Sequence, residues 1–136
     1  MATQFRGKDQ FYWTVLNTAV TLDISRGHLS WKMADLARSS KVSRTLIYYY
    51  FGKSKEGILR EAVRLFGDEI SGATAEKTAL WAEGKIAEAF DQSRELLNKI
   101  PAIVPFYLLN RSKTSEIGAT IRAQERAFFE KIKAYF

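Results

Sequence analysis

The stretch M-A-D-L-A-R-S-S-K-V-S-R-T-L-I-Y-Y-Y-F, Met33 to Phe51, decides the architecture. It divides into two short helical patterns with room between them only for a tight turn. Met33, Leu36 and Ala37 fall on one apolar face, and that helix can run to about Ser39, with Ser30 placed to cap it. After a turn at Ser40, Lys41 and Val42, Ser43 can cap the next helix, which continues through Phe51 until Gly52 stops it. Two short helices joined by a three-residue turn outline a helix-turn-helix. Where they cross a small residue is wanted, and an apolar residue of the second must plug the angle. Ala37, Val42 and Ile47 meet both needs.

Three tyrosines in a row cannot face one way on a helix that turns roughly 100° per residue. Tyr48 and Tyr49 share a polar face with Arg44 and Thr45, while Tyr50 falls with Ile47 and Phe51 on the core side. The polar face suits a DNA major groove, where Arg pairs with guanine edges, Thr meets a thymine methyl and tyrosine hydroxyls reach phosphate. Lys55 opens the following helix, and a lysine beside a helix N-terminus is a natural phosphate anchor. The candidate DNA contacts are therefore Lys32, Arg44, Thr45, Leu46, Tyr48, Tyr49, Lys53 and Lys55.

Working outward, Phe11, Val15, Leu16, Ala19 and Leu22 recur at helical spacing, and Gly27 ends that first helix near Arg26. A fourth helix carries Ile58, Leu59, Ala62, Val63, Phe66 and Ile70. After a break around Ser71 to Thr74, a fifth is expected over Leu80 to Lys99 with Ile86, Ala89, Phe90, Leu96 and Leu97 inward. Pro101 and Pro105 favour a short sixth helix over Ala102 to Asn110, since proline is tolerated in a first turn. Arg111 to Thr114 reads as a loop, and Ser115 caps a last helix from Glu116 to about Tyr135. No strand alternation of useful length occurs. The expected fold is all-α: a helix-turn-helix domain over residues 1–53 and a second helical domain over 54–136.

Composition agrees with a soluble globular chain of 136 residues, 46% hydrophobic and 26% charged. The net charge of +6 is uneven. Residues 1–66 hold 11 Lys and Arg against 5 Asp and Glu, whereas residues 67–136 hold ten of each. A basic field confined to the helix-turn-helix half suits a polyanion. Cysteine is absent, which excludes disulfides, thiol catalysis and cysteine-ligated zinc. The start, M-A-T-Q-F-R-G-K-D-Q, lacks a signal-peptide core, and the longest apolar run, Ile100 to Leu109, is too short to span a bilayer. A cytoplasmic protein is expected. The single histidine, His28, lacks partners for a metal site or a nucleophile dyad, so neither catalysis nor a cofactor is expected.

The run from Val15 to Leu59 resembles the DNA-binding domain of the tetracycline-repressor (TetR) family of bacterial regulators. The matching segments are V-L-N-T-A-V-T-L-D-I-S-R-G, M-A-D-L-A-R-S-S-K-V-S, I-Y-Y-Y-F and S-K-E-G-I-L. Several positions depart from that family's pattern. Lys41 stands at a usual turn glycine, where a left-handed backbone carries a steric cost. Asp23 occupies a usually aromatic core position and Trp31 a usual threonine that caps the second helix and touches phosphate. Ala34 replaces a frequent arginine, Tyr50 a common histidine, and the connection from Phe51 to Lys55 is one residue longer.

The resemblance implies a homodimer on a palindromic double-stranded operator, released by a small apolar or aromatic effector. It makes residues 54–136 the regulatory, ligand-binding and dimerisation domain, with Phe66, Trp81, Phe90, Phe106 and Tyr107 as the candidate pocket residues between the later helices. It also implies two further long helices, which the 136 residues do not include. The competing reading is an all-helical interaction or ligand-binding module that no longer reads DNA. Salt-dependent, sequence-selective duplex binding separates the two.

Overall fold

The computed structural model describes residues 9–67 and 75–135, and every regular element among them is a helix. In order these are α1 (Asp9–Arg26), α2 (Met33–Ser40), α3 (Arg44–Phe51), α4 (Lys55–Leu65), α5 (Ala75–Ala82), α6 (Ile86–Leu97), α7 (Ile103–Asn110) and α8 (Glu116–Tyr135). None of them is long and apolar enough to cross a membrane. The expectations for Ile70 and for a break at Ser71 to Thr74 lie outside the described residues, as does the side chain of Leu96.

α1 is the centre of the molecule and packs against α2, α4 and α7, while α4 in turn packs against α8. The reason is visible in its sequence: Tyr12, Val15, Leu16, Ala19, Val20 and Leu22 are buried, a stripe wide enough to meet neighbours on more than one side. Ile58, Leu59, Ala62 and Val63 of α4 and Ile103, Phe106, Ile117 and Ile121 of α7 and α8 join the same core. Each such aliphatic side chain contributes on the order of 1.5–3 kcal/mol when fully buried. The core is thus continuous from the helix-turn-helix into the later helices, with α4 as the shared element.

Two boundaries differ from expectation. Lys32, not Ser30, is the N-cap of α2, and the Asp35 carboxylate reaches back to accept from the Lys32 backbone N–H at 3.0 Å. Ser30 is taken up by the preceding turn, where its N–H donates to the Gly27 carbonyl. The expected fifth helix is two helices, because Gly84 adopts φ +76° and ends α5. The Lys85 N–H returns to the Leu80 carbonyl and the Gly84 N–H to that of Trp81, a Schellman closure. This break turns α6 so that Ala89 is buried while Ile86 and Phe90, expected inward, are exposed, Phe90 by 74%.

A polar tie joins α1 to α4 at the edge of this core. The Tyr12 hydroxyl donates to the Glu61 carboxylate, which also receives both arms of Arg64 at 2.8 and 2.9 Å. Burial first, and then the neighbouring Glu61, push the Tyr12 phenol above its ordinary range. Burial works against the Glu61 carboxylate, but Arg64 and Tyr12 together hold it below the usual range. For Tyr12 the linkage is that of a raised folded pKa: its contribution is full below the ordinary phenol value and is lost as pH rises. We expect Tyr12→Phe to cost about 1–2 kcal/mol at neutral pH. The gap to wild type should narrow above pH 10, in urea melts run from pH 8 to 11; a constant gap would refute the coupling.

Candidate nucleic-acid interface

The reading helix α3 is fixed at both ends by the residues expected to fix it. The Ser43 hydroxyl accepts from the Leu46 N–H at 3.2 Å, and Gly52, at φ +79°, closes the far end with its N–H on the Tyr48 carbonyl. The turn before it is held by Lys41 in the left-handed region at φ +61° and by the Ser40 hydroxyl accepting from the Val42 N–H at 3.3 Å. A non-glycine residue at such a φ costs roughly 1 kcal/mol. Ile47 is fully buried and Val42 nearly so, which seats α3 against α2 and the α1–α4 core.

That seating fixes what points outward. Arg44, Thr45, Leu46 and Tyr49 are exposed, Tyr49 by 77%. Tyr48 is half-buried, with the Lys53 ammonium 5.4 Å from its ring centroid. Tyr50 turns to the other side and packs on Phe11 at 5.3 Å, and Tyr49 stands edge-on to it at 4.7 Å. Phe51 reaches the core through Tyr12 at 4.8 Å. The tyrosines thus separate only in part: Tyr49 is exposed, but Tyr48 and Tyr50 are both half-buried, and Tyr50, expected in the core, stops at its edge against Phe11 and Tyr49.

The charge is equally partitioned. Asp35 forms ion pairs with Arg26 and Arg38, at 3.2 and 2.6 Å, and the Lys32 N–H first, then Arg38, hold its carboxyl below the usual range. Among the described residues no carboxylate pairs with Lys32, Lys41, Arg44 or Lys53. Arg26 and Arg38, by contrast, are spent on Asp35.

Residues 15–62, from α1 into α4, match the model of the bacterial regulatory proteins of the tetR family. The chain carries the DNA-binding domain of a tetR-family regulator. Searches among curated proteins and among solved structures gave no match. The molecule is accordingly a DNA-binding transcriptional regulator, and the matched segment contains all eight candidate contacts.

Lys55 is the one whose placement in this tetR-family domain differs from expectation. Its ammonium does not project freely from the α4 N-terminus. It donates to the Leu29 carbonyl at 2.6 Å and the Trp31 carbonyl at 2.8 Å, and lies 5.7 Å from the Trp31 ring centroid. Two of its three N–H groups are therefore committed. Trp31 is fully buried, and its indole N–H donates at 2.9 Å to Asp23, which is itself buried at the end of α1. Asp23 also accepts from the Leu29 N–H at 2.7 Å and bonds His28 Nδ1 at 2.8 Å. Asp23 and Trp31, two separate departures from the family pattern in the sequence, are thus partners in the fold. Their offset of eight residues across a glycine was the available signal.

The expected aromatic pocket is only partly assembled. A cleft of about 230 Å³ lies between the end of α4 and the middle of α8, lined by Phe66, Tyr107, Gln124, Glu125, Phe128 and Phe129. Of the five expected residues Phe66 and Tyr107 line it, with tilted rings 4.6 Å apart. Phe106 is instead fully buried in the core, Phe90 faces solvent, and Trp81 meets Phe128 at 6.2 Å from outside the lining set. Gln124 donates to the Val63 carbonyl at 3.0 Å and lies against Gly67, where α4 widens to a π turn. Burial first, then Glu125, push the Tyr107 phenol up to about 12. The α8 residues were missed because that helix was read only for its length; the pairs Gln124–Phe128 and Glu125–Phe129, four apart on one face, carried the signal.

Proposed function

We propose that this regulator is a repressor, acting in the cytoplasm as a homodimer on a palindromic operator and released by a small effector. The observation that carries the reading is the outward face of α3: Arg44, Thr45 and Tyr49 exposed together, with Lys32, Lys41 and Lys53 around them meeting no carboxylate among the described residues. In this reading Arg44 meets a guanine edge, Thr45 meets a thymine methyl with Leu46 beside it, and Tyr48, Tyr49, Lys32 and Lys53 meet phosphate. Dimerisation follows from the few contacts one reading helix makes, two heads being needed for paired half-sites.

The aromatic cleft at the far end of α4 is the proposed effector site. Its size suits a compound of one or two rings, below the volume range of drug-sized ligands. A ligand that prefers the non-binding arrangement of the two heads lowers operator affinity by its differential affinity.

Selection from a random duplex pool with the full-length protein tests the reading. A palindromic consensus is expected, bound with a steep negative dependence on salt. Arg44→Ala should then lose about 1–3 kcal/mol on the consensus and relax preference at one position of each half-site. Equal affinity for the selected sequence and for random duplex would leave the competing interaction-module reading in its place.

A further inference from the structure

We propose that Lys55 is a positioning residue for DNA binding, the α4 end of a latch through Trp31 and Asp23 that sets the angle of the helix-turn-helix. The inference rests on the regulator reading above and adds a part that reading does not contain.

The latch begins with a segment that regular structure cannot satisfy. Residues 27–32 leave α1 with Gly27 at φ +96° and Leu29 at φ +60°, and they lead directly into the Lys32 cap of α2. Such a segment turns its N–H and C=O groups to opposite sides, and each needs a partner when buried. The two sides are met by two different helices. Asp23 of α1 takes the N–H of Leu29 and the indole N–H of Trp31, while Lys55 of α4 takes the carbonyls of the same two residues. The Trp31 ring, fully buried, fills the space between them and lies under the ammonium.

The consequence is mechanical. The segment that aims α2, and through the short turn α3, is gripped from α1 on one side and from the first residue of α4 on the other. A displacement of α4 therefore reaches the reading head through hydrogen bonds to the backbone, not only through apolar contact. Charge-assisted bonds are short and directional, so they transmit orientation better than a slippery apolar surface.

This separates Lys55 from a phosphate anchor by experiment. A lysine on phosphate contributes about one unit to the salt slope and strengthens specific and non-specific binding alike. A positioning lysine alters the ratio of specific to non-specific affinity. Lys55→Met and Trp31→Phe are compared with wild type on the selected duplex and on random duplex, over a series of salt concentrations. Trp31→Phe changes no charge but removes the indole donor. Both variants should lose about tenfold on the selected duplex, the loss expected of one charge-assisted hydrogen bond. Random-duplex affinity should change by less than about twofold and the slope by less than about half a unit. Lys55→Arg, which can still reach two carbonyls, should recover most of the loss.

A slope lowered by about one in Lys55→Met, with Trp31→Phe binding as wild type, would overturn the proposal in favour of a direct phosphate contact. Unchanged specific affinity in both variants would overturn it as well. Should wild type itself prefer no sequence, the regulator reading fails first, and hydrogen exchange then judges the latch without DNA. Exchange at the Leu29 amide and the Trp31 indole should quicken about tenfold in Lys55→Met if the segment is gripped from α4; unchanged exchange would sink the latch.

Discussion

Gly118→Ala is expected to cost about 3 kcal/mol, at the upper end of what overpacking usually costs. A Cβ at this position would stand 2.3 Å from the Lys113 carbonyl oxygen and 2.7 Å from that of Asn110. Both obstacles are backbone, so no side-chain rotation relieves them. Asn110 closes α7, and Arg122 donates to the carbonyls of Arg111 and Lys113 at 2.9 and 2.6 Å, which holds the obstructing loop in place. The first turn of α8 must therefore lift away from α7, loosening Ile117 and Ile121, both fully buried. Thermal melts should show a fall of roughly 10 °C, given the entropy of unfolding of a chain this size. A midpoint within two or three degrees of wild type would mean that α8 tolerates the shift.

Asp23→Ala should be comparably severe, about 3–5 kcal/mol, for a different reason. The carboxylate holds three donors, from Leu29, Trp31 and His28, and its side chain is 2% exposed. His28, with 26% of its side chain exposed, can turn to water after the substitution. The Leu29 amide and the buried indole cannot. Asp23→Asn keeps an acceptor for both and should cost only about 1–2 kcal/mol. Urea denaturation of the two variants side by side distinguishes lost acceptance from lost charge: equal destabilisation would assign the effect to the charge. A loss of 3–5 kcal/mol is a large share of the stability of an ordinary domain.

The helix-turn-helix was legible because its signals are local. Ser43, Gly52, Ala37, Val42 and Ile47 act within a few residues of themselves, and α3 formed between the residues expected to bound it. The later helices obeyed the same logic at Ser115, whose hydroxyl accepts from the Gly118 N–H at 3.1 Å. Periodicity misled at Ile86 and Phe90, because an apolar repeat continues across Gly84 although the backbone does not. Lys55 shows the other limit. Its position at a helix start is local information, but the carbonyls it meets belong to residues 24 and 26 positions earlier. The cleft was half legible for the same reason, since Phe66 and Tyr107 meet Gln124 and Glu125 only through tertiary packing.

The bond between Asp23 and Trp31 also bears on descent. The pair leaves neither the buried indole N–H nor the buried carboxylate without a partner. Trp31 without Asp23 strands a buried indole N–H, at roughly 1–3 kcal/mol, whereas Asp23 without Trp31 keeps the donors of Leu29 and His28. The dependence thus runs one way, and a lineage that holds this tryptophan faces a stability cost on losing the aspartate but a smaller one in the other order. Sequences descended from this one should not keep Trp31 after losing Asp23.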